Sequence, residues 1–306
     1  MPWTRREIVA AAAVLAGCSR RPAAAQPGAP HAMLTRPIPS TGEQIPVVGL
    51  GTWQAFDLGP RDPDWAQAGE ALQAFCDGGG RLVDSSPMYG RAEAAIGAIA
   101  TERHLRPKLF LATKVWTQGR EAGVRQMQES LRLLHAPMVD LMQVHNLVDL
   151  ETHLPTLETW KADGWVRYVG ITHYTESGYA ALEAAMQRPG IDFIQINASA
   201  AERESERRIL PLARERGMAV LINRPFAGGD LFARLRKLPL PGWAAEIGAE
   251  SWAQVLLKYI LADPAVTCAI PGTRNPRHVA DNLAAGSGPL PDAAMRRRIV
   301  DAVEAA

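Results

Sequence analysis

Residues 82–93 run Leu82-Val83-Asp84-Ser85-Ser86-Pro87-Met88-Tyr89-Gly90-Arg91-Ala92-Glu93. Two apolar residues of strand character lead directly into a carboxylate, two hydroxyls and a phenol, so a short strand delivers polar chemistry at its C-terminal end. The pattern recurs. Leu109–Ala112 is followed by Thr113-Lys114-Val115-Trp116, and Val139–Val144 by His145-Asn146. Three successive strands thus end in an Asp with a nearby Tyr, a Lys and a His.

Further apolar runs lie at Val47–Leu50, Val166–Ile171, Phe193–Ile196, Ala219–Ile222 and Val266–Ile270. Between the runs, apolar residues take helical spacing. Trp65, Leu72, Phe75 and Cys76 share one face, and Val124, Met127, Leu131 and Leu134 another. Ala181, Leu182 and Ala185 sketch a third, and Ile209, Leu212 and Ala213 a fourth. Eight strand–helix units in about 250 residues predict a single-domain (β/α)8 TIM barrel over residues 31–306, with chemistry at the C-terminal ends of its strands. A doubly wound open sheet is the rival, but the G-x-G-x-x-G turn it needs is missing; Gly78-Gly79-Gly80 precedes a strand instead of following one. The phosphate-loop, G-x-S-x-G and H-E-x-x-H patterns are missing as well.

The chain has 306 residues with 33 basic and 32 acidic side chains and is 47% hydrophobic, which excludes a nucleic-acid footprint and global disorder. Three Cys do not make a disulfide framework, and no His spacing suggests a metal. Cys76, on an apolar helical face, and Cys268, in a strand, are expected to be buried thiols.

Residues 1–30 read as an export signal and processing region. Arg5-Arg6 precedes the apolar run Ile8–Gly17, which is too short to span a bilayer, and a Pro/Ala-rich stretch follows. The paired Arg resembles a twin-arginine signal, which engages export machinery for folded proteins. Leu15-Ala16-Gly17-Cys18 resembles a lipoprotein box that would anchor the protein to a membrane through Cys18, whereas Ala23-Ala24-Ala25 offers cleavage to a free periplasmic form. Either outcome makes this a periplasmic or otherwise exported bacterial protein.

The strand-end residues have a joint logic. A free phenol titrates near 10 and is a poor proton donor at neutral pH. A Lys cation beside Tyr89 lowers that value, and Asp84 keeps Lys114 charged and placed. His145 can then hydrogen-bond a substrate oxygen or relay the proton. Such a group suits protonation of a carbonyl oxygen as it accepts hydride. Taken singly, each residue has a plain structural reading: Asp84 a turn cap, Tyr89 a half-buried aromatic, Lys114 a solvated strand end, His145 a rim residue.

Over about residues 37–285 the chain resembles the aldo-keto reductases. The match runs in order through Val48-Gly49-Leu50-Gly51-Thr52-Trp53, Asp84-Ser85-Ser86-x-x-Tyr89-Gly90, Ala112-Thr113-Lys114, Val144-His145, Val169-Gly170-Ile171, Gln195-Ile196-Asn197 and Ile270-Pro271-Gly272-Thr273-Arg274-Asn275-Pro276 to Asp281-Asn282. The resemblance implies catalytic Asp84, Tyr89, Lys114 and His145, with Tyr89 the general acid. It also implies a nicotinamide dinucleotide, NADPH with NADH as the alternative, and a small carbonyl substrate.

On the cofactor side it implies Thr52, Thr172, His173, Gln195, Asn223, Arg224 and Phe226, then Gly272, Thr273, Arg274, His278, Asp281 and Asn282. Arg274 is the candidate contact for a 2′-phosphate, and a helix starting near Pro276 would turn its N–H groups toward that end. Trp53 and Trp116 would line the substrate mouth.

Several positions depart from the family pattern. Thr172-His173 replaces a common Ser-Asn, Asn223 stands where a stacking aromatic is usual, Gly272 replaces a frequent lysine, and His278 replaces an arginine. Arg224 is either a pyrophosphate contact or a structural ion-pair partner. Gly228–Phe232 and Leu238–Trp243 form an insertion before the last barrel helix, and little chain follows Asn282, which predicts an open pocket. Two other functions compete with carbonyl reduction. One is an exported nicotinamide-binding redox sensor with little turnover; the other is a Schiff-base lyase, which would need a neutral Lys114.

Overall fold

The computed structural model describes residues 33–306. The readings of export, Cys18 lipidation and cleavage fall on 1–30 and lie outside the described residues.

A two-stranded antiparallel hairpin comes first, β1 (Thr35–Pro37) and β2 (Gln44–Pro46). Eight parallel strands follow, alternating with helices: β3 (Leu50–Gly51), α1 (Trp65–Asp77), β4 (Leu82–Asp84), α2 (Ala92–Glu102), β5 (Phe110–Val115), α3 (Arg120–Leu133), β6 (Val139–Val144) and α4 (Leu150–Ala162). The second half continues with β7 (Val166–Thr172), α5 (Tyr179–Met186), β8 (Phe193–Asn197), α6 (Ile209–Glu215), β9 (Ala219–Asn223), the short α7 (Asp230–Leu235), α8 (Trp252–Leu261), β10 (Cys268–Ala269), α9 (Pro276–Ala284) and α10 (Ala293–Glu304).

The eight strands are hydrogen-bonded in chain order from β3 to β10. Closure comes from parallel bridges Val48–Ala269 and Gly51–Gly272, with Gly49 N–H donating to Ala269 O at 2.8 Å. The result is the expected (β/α)8 barrel. The first and last strands are short: regular pairing holds only Leu50–Gly51, at the C-terminal end of the run 47–50, and Cys268–Ala269, in the middle of 266–270, while the rest of each run is still buried.

Strand parity separates the barrel interior into two levels. Inward positions near the N-terminal ends are apolar: Leu82, Phe110, Leu141, Tyr168, Phe193 and Leu221 belong to one buried cluster, plugged from the hairpin by Ile38 and Ile45. Two or four residues further along the same inward face stand Asp84, Lys114, Gln143 and Gln195. A period of two therefore stacks a polar level on an apolar one without any change of face. Gly170 permits it locally, since a Cβ there would meet Gln143 Cγ at 2.9 Å and Phe193 O at 3.1 Å.

The outer helices bury the faces that the sequence predicts. In α1, Leu72, Phe75 and Cys76 are buried and Trp65 packs partly against the core. In α3, Met127 and Leu131 are buried; Leu134 is buried too, just past the helix end. The hairpin and α10 are additions that no strand–helix repeat predicts. Cys76 and Cys268 are both buried and free.

Candidate active site

Asp84 closes β4 and is the hub of the polar level. Its Oδ2 accepts from Lys114 Nζ at 2.7 Å, and its Oδ1 accepts from Gln195 Nε2 at 2.8 Å and Gln143 Nε2 at 3.2 Å. Lys114 Nζ also donates to Ser85 O at 2.7 Å. All four side chains are essentially sealed from solvent. Burial opposes the charge on Lys114, but Asp84 and Tyr89 outweigh it and hold the amine above its ordinary pKa. A lysine held charged in this way cannot act as an imine-forming nucleophile.

Beyond β4 the chain turns back on itself. Tyr89 N–H donates to Ser86 O at 3.0 Å, closing a β-turn with Pro87 at its second position, where a fixed φ suits the bend. The turn sets Tyr89 beside Lys114, whose Nζ is 4.9 Å from the ring centre. The imidazole of His145 stands edge-on to the same ring, with centroids 6.1 Å apart.

The expected lowering of the Tyr89 pKa is not what this geometry produces. Burial raises it above the usual phenol value; Lys114 offsets part of the rise and Asp84 adds to it. The ammonium is already committed to Asp84, so its field at the phenol is partly cancelled. Tyr89 stays protonated across the physiological range. His145 is driven the other way, down to about 3, by burial, by the charge of Lys114 and by His173. It is therefore neutral at pH 7, so the mouth presents a protonated phenol and an uncharged imidazole above a buried ion pair.

A family model described as the Aldo/keto reductase family matches residues 47–303. The chain belongs to this family.

This aldo/keto reductase is 31% identical over 251 residues to "Methylglyoxal reductase YeaE" of Escherichia coli K12, covering 78% of this chain and 85% of that protein. It is 29% identical to an aldo-keto reductase of Mycobacterium sp. strain KMS, covering 79% of this chain and 84% of the relative. Among solved structures, the aldo/keto reductase from Klebsiella pneumoniae in complex with NADP and acetate aligns at TM-score 0.70 and 24% identity, over 86% of this chain and 93% of that one.

Trp53 and Trp116, expected at the mouth, are 50% and 42% exposed, and the Trp116 ring lies 6.3 Å from that of His145. Met88 and Tyr174, which the sequence reading passed over, are similarly exposed at strand-following turns. The expected cofactor residues divide. Gln195 and Thr172 sit on the sealed polar level, with Thr172 paired in register to Gln195. Asn223 ends β9 in register with Asn197, and its Oδ1 is buried with no partner among the described residues. His173 lies over Gly178, where a Cβ would meet the ring at 2.2 Å, and its Nδ1 is within 3.4 Å of Thr175 polar atoms.

Other expected contacts are already committed within the protein. The Thr52 hydroxyl is fully buried, 3.0 Å from both Asp84 O and Ser85 Oγ, so it braces the Asp84 turn from behind and presents nothing to the mouth. Arg224 pairs with Glu202 at 3.4 Å, which is the ion-pair alternative. Phe226 packs on Phe232 of α7 with centroids 4.6 Å apart, so its ring is taken up by the insertion. Asp281 accepts from Ser251 Oγ at 2.8 Å and Gln254 Nε2 at 2.7 Å, tying α9 to the start of α8. Arg274 is engaged by Asp64, with Nε at 3.0 Å and Nη2 at 2.7 Å from Oδ2.

At the start of α9, Pro276 occupies the first turn and Asn275 caps Arg277 N–H at 2.9 Å. Gly272 and His278 are exposed, Thr273 is half-buried and Asn282 is buried. Gln143, Ser86 and Asp64 were missed in sequence. Gln143 carried a usable signal, standing two residues after the inward-facing Leu141 on the same face of β6. Among the described residues, no helix is long and apolar enough to cross a membrane and no side-chain cluster is placed to hold a metal.

Proposed function

We propose that this protein reduces an aldehyde or ketone to its alcohol, using NADPH. NADH is the alternative donor. The observation that carries the reading is the buried Asp84–Lys114 pair, 2.7 Å apart, set beneath a protonated Tyr89 and a neutral His145. The nicotinamide, when bound, supplies the hydride. Tyr89 Oη gives a proton to the substrate oxygen, and the charged Lys114 stabilises the phenolate left behind. His145 donates a hydrogen bond to the same oxygen, and Asp84 keeps Lys114 in place.

The residues present suit a dinucleotide. The orphaned Asn223 Oδ1, with Gln195, Thr172 and His173, supplies acceptors and donors for a carboxamide at the ends of β7, β8 and β9. Thr273, His278 and the first turn of α9 suit the phosphate-bearing adenosine end, and Arg274 joins them where a phosphate displaces Asp64 from its guanidinium. Trp53 and Trp116 line the mouth for a small carbonyl compound. Aldehyde- and quinone-dependent NADPH oxidation by the purified protein, beside Tyr89→Phe, tests the reading. Turnover falling at least about a hundredfold in the variant supports it; an unaffected variant places the acid elsewhere. NADPH binding without turnover in either protein would favour a sensor.

Export through residues 1–30 belongs to the same proposal and rests on sequence alone. Periplasmic recovery that is lost on Arg5→Lys with Arg6→Lys supports it, and cytoplasmic retention of the unmodified chain counts against it. Labelling by a lipid precursor, abolished by Cys18→Ala, separates anchoring from cleavage.

A further inference from the structure

Ser86 is fully buried between the two groups that face the substrate. Its backbone carbonyl accepts from Tyr89 N–H at 3.0 Å. Its side-chain oxygen has two polar neighbours, Met88 N at 3.4 Å and His145 Nδ1 at 3.2 Å. These neighbours are not equivalent. A backbone N–H can only donate, so Met88 takes a lone pair of Oγ and leaves the hydroxyl proton unplaced.

A buried hydroxyl proton needs an acceptor, because left unpaired it forfeits the hydrogen bond it makes in water. Among the described residues, the atom in reach that can accept it is His145 Nδ1. A neutral imidazole that accepts at Nδ1 must carry its proton on Nε2. The imidazole is neutral here because burial, Lys114 and His173 all oppose its charge. Nε2 has no hydrogen-bond partner among the described residues, so its proton is available to a ligand.

We propose that Ser86 is a positioning residue that locks His145 in the Nε2–H tautomer while its carbonyl pins Tyr89, so that one buried serine registers both hydrogen-bond donors of the site. The reverse tautomer would donate from Nδ1 to Oγ, strand the serine proton and present a lone pair to the substrate oxygen, which repels it. The consequence for turnover rests on the carbonyl-reduction reading; the tautomer does not.

The test separates the two. Long-range proton–nitrogen correlation spectra of the ¹⁵N-histidine-labelled full chain, assigned with His145→Gln, report which ring nitrogen of His145 is protonated. The expected pattern is a bare Nδ1 and a protonated Nε2. In Ser86→Ala that pattern shifts toward Nδ1–H, and kcat for aldehyde reduction falls about ten- to a hundredfold with KM changed less than about threefold. Ser86→Thr, which keeps a hydroxyl, retains the wild-type spectrum.

A wild-type His145 protonated on Nδ1 overturns the assignment, even if Ser86→Ala does not fold. An unchanged spectrum and kcat in Ser86→Ala overturn it as well. A wild-type protein with the expected spectrum but no carbonyl turnover overturns only the reduction reading.

Discussion

Lys114 Nζ lies 2.7 Å from Asp84 Oδ2, with both side chains closed off from water. Such a pair adds little net stability compared with an apolar replacement of both partners, yet removing one partner strands the other charge in a poorly polarisable interior. Asp84→Asn is expected to cost about 3–5 kcal/mol and to abolish most carbonyl reduction. Urea unfolding and NADPH oxidation measured on the same preparation check this. A variant as stable as the parent would show that Lys114 had found another counter-charge or lost its proton.

The second expectation concerns Arg274, which Asp64 occupies through two short contacts to one oxygen. A carboxylate at that distance competes with any phosphate the guanidinium is meant to bind. Asp64→Asn should therefore tighten NADPH about three- to tenfold relative to NADH. The stability cost should be under about 1 kcal/mol, since the pair is partly exposed. Fluorescence titration with the two cofactors measures the ratio; no change would leave Arg274 a purely structural partner.

His145 makes stability depend on pH with a definite sign. Its pKa is pushed from an ordinary 6.5 down to about 3, so below 6.5 the unfolded chain binds a proton that the folded chain refuses. The contribution is complete above about 6.5 and is lost as pH falls through that value toward 3. Between pH 7 and 4.5 the parent should lose more unfolding free energy than His145→Gln. Direct titration of the ring near 6.5 would contradict the expectation.

Gly97 in α2 faces the end of α3 so closely that a Cβ would lie 2.0 Å from Leu133 O and 2.8–2.9 Å from Leu134 backbone atoms. Backbone cannot give way as a side chain can. Gly97→Ala gains about 1 kcal/mol in helix propensity and should still lose about 3 kcal/mol overall through forced displacement. Its melting temperature should fall by several degrees. A stabilised variant would mean that the two helices can separate.

The barrel was largely legible in the chain because its signals are local. Apolar runs of strand length alternate with helical faces, and period two carries Leu82 to Asp84 and Phe110 to Lys114 on one face. Strand ends such as Asp84, Lys114 and His145 therefore announced themselves without any tertiary information. The hairpin that plugs the barrel floor did not, since its short strands look like an ordinary loop and become strands only by pairing with each other.

What tertiary structure alone decided is which of these residues touch, and hence their electrostatic state. Asp84 meets Gln195 across 111 residues, Ser86 meets His145 across 59, and Arg274 meets Asp64 across 210. No local periodicity encodes such distances; they follow from closing eight strands into a ring. The same closure reversed the expectation for Tyr89, because burial raises its pKa more than a lysine already paired with Asp84 can lower it. Residue types and strand order supplied the inventory of the site. Ring closure and burial determined which groups carry charge, which protons are committed and which remain available.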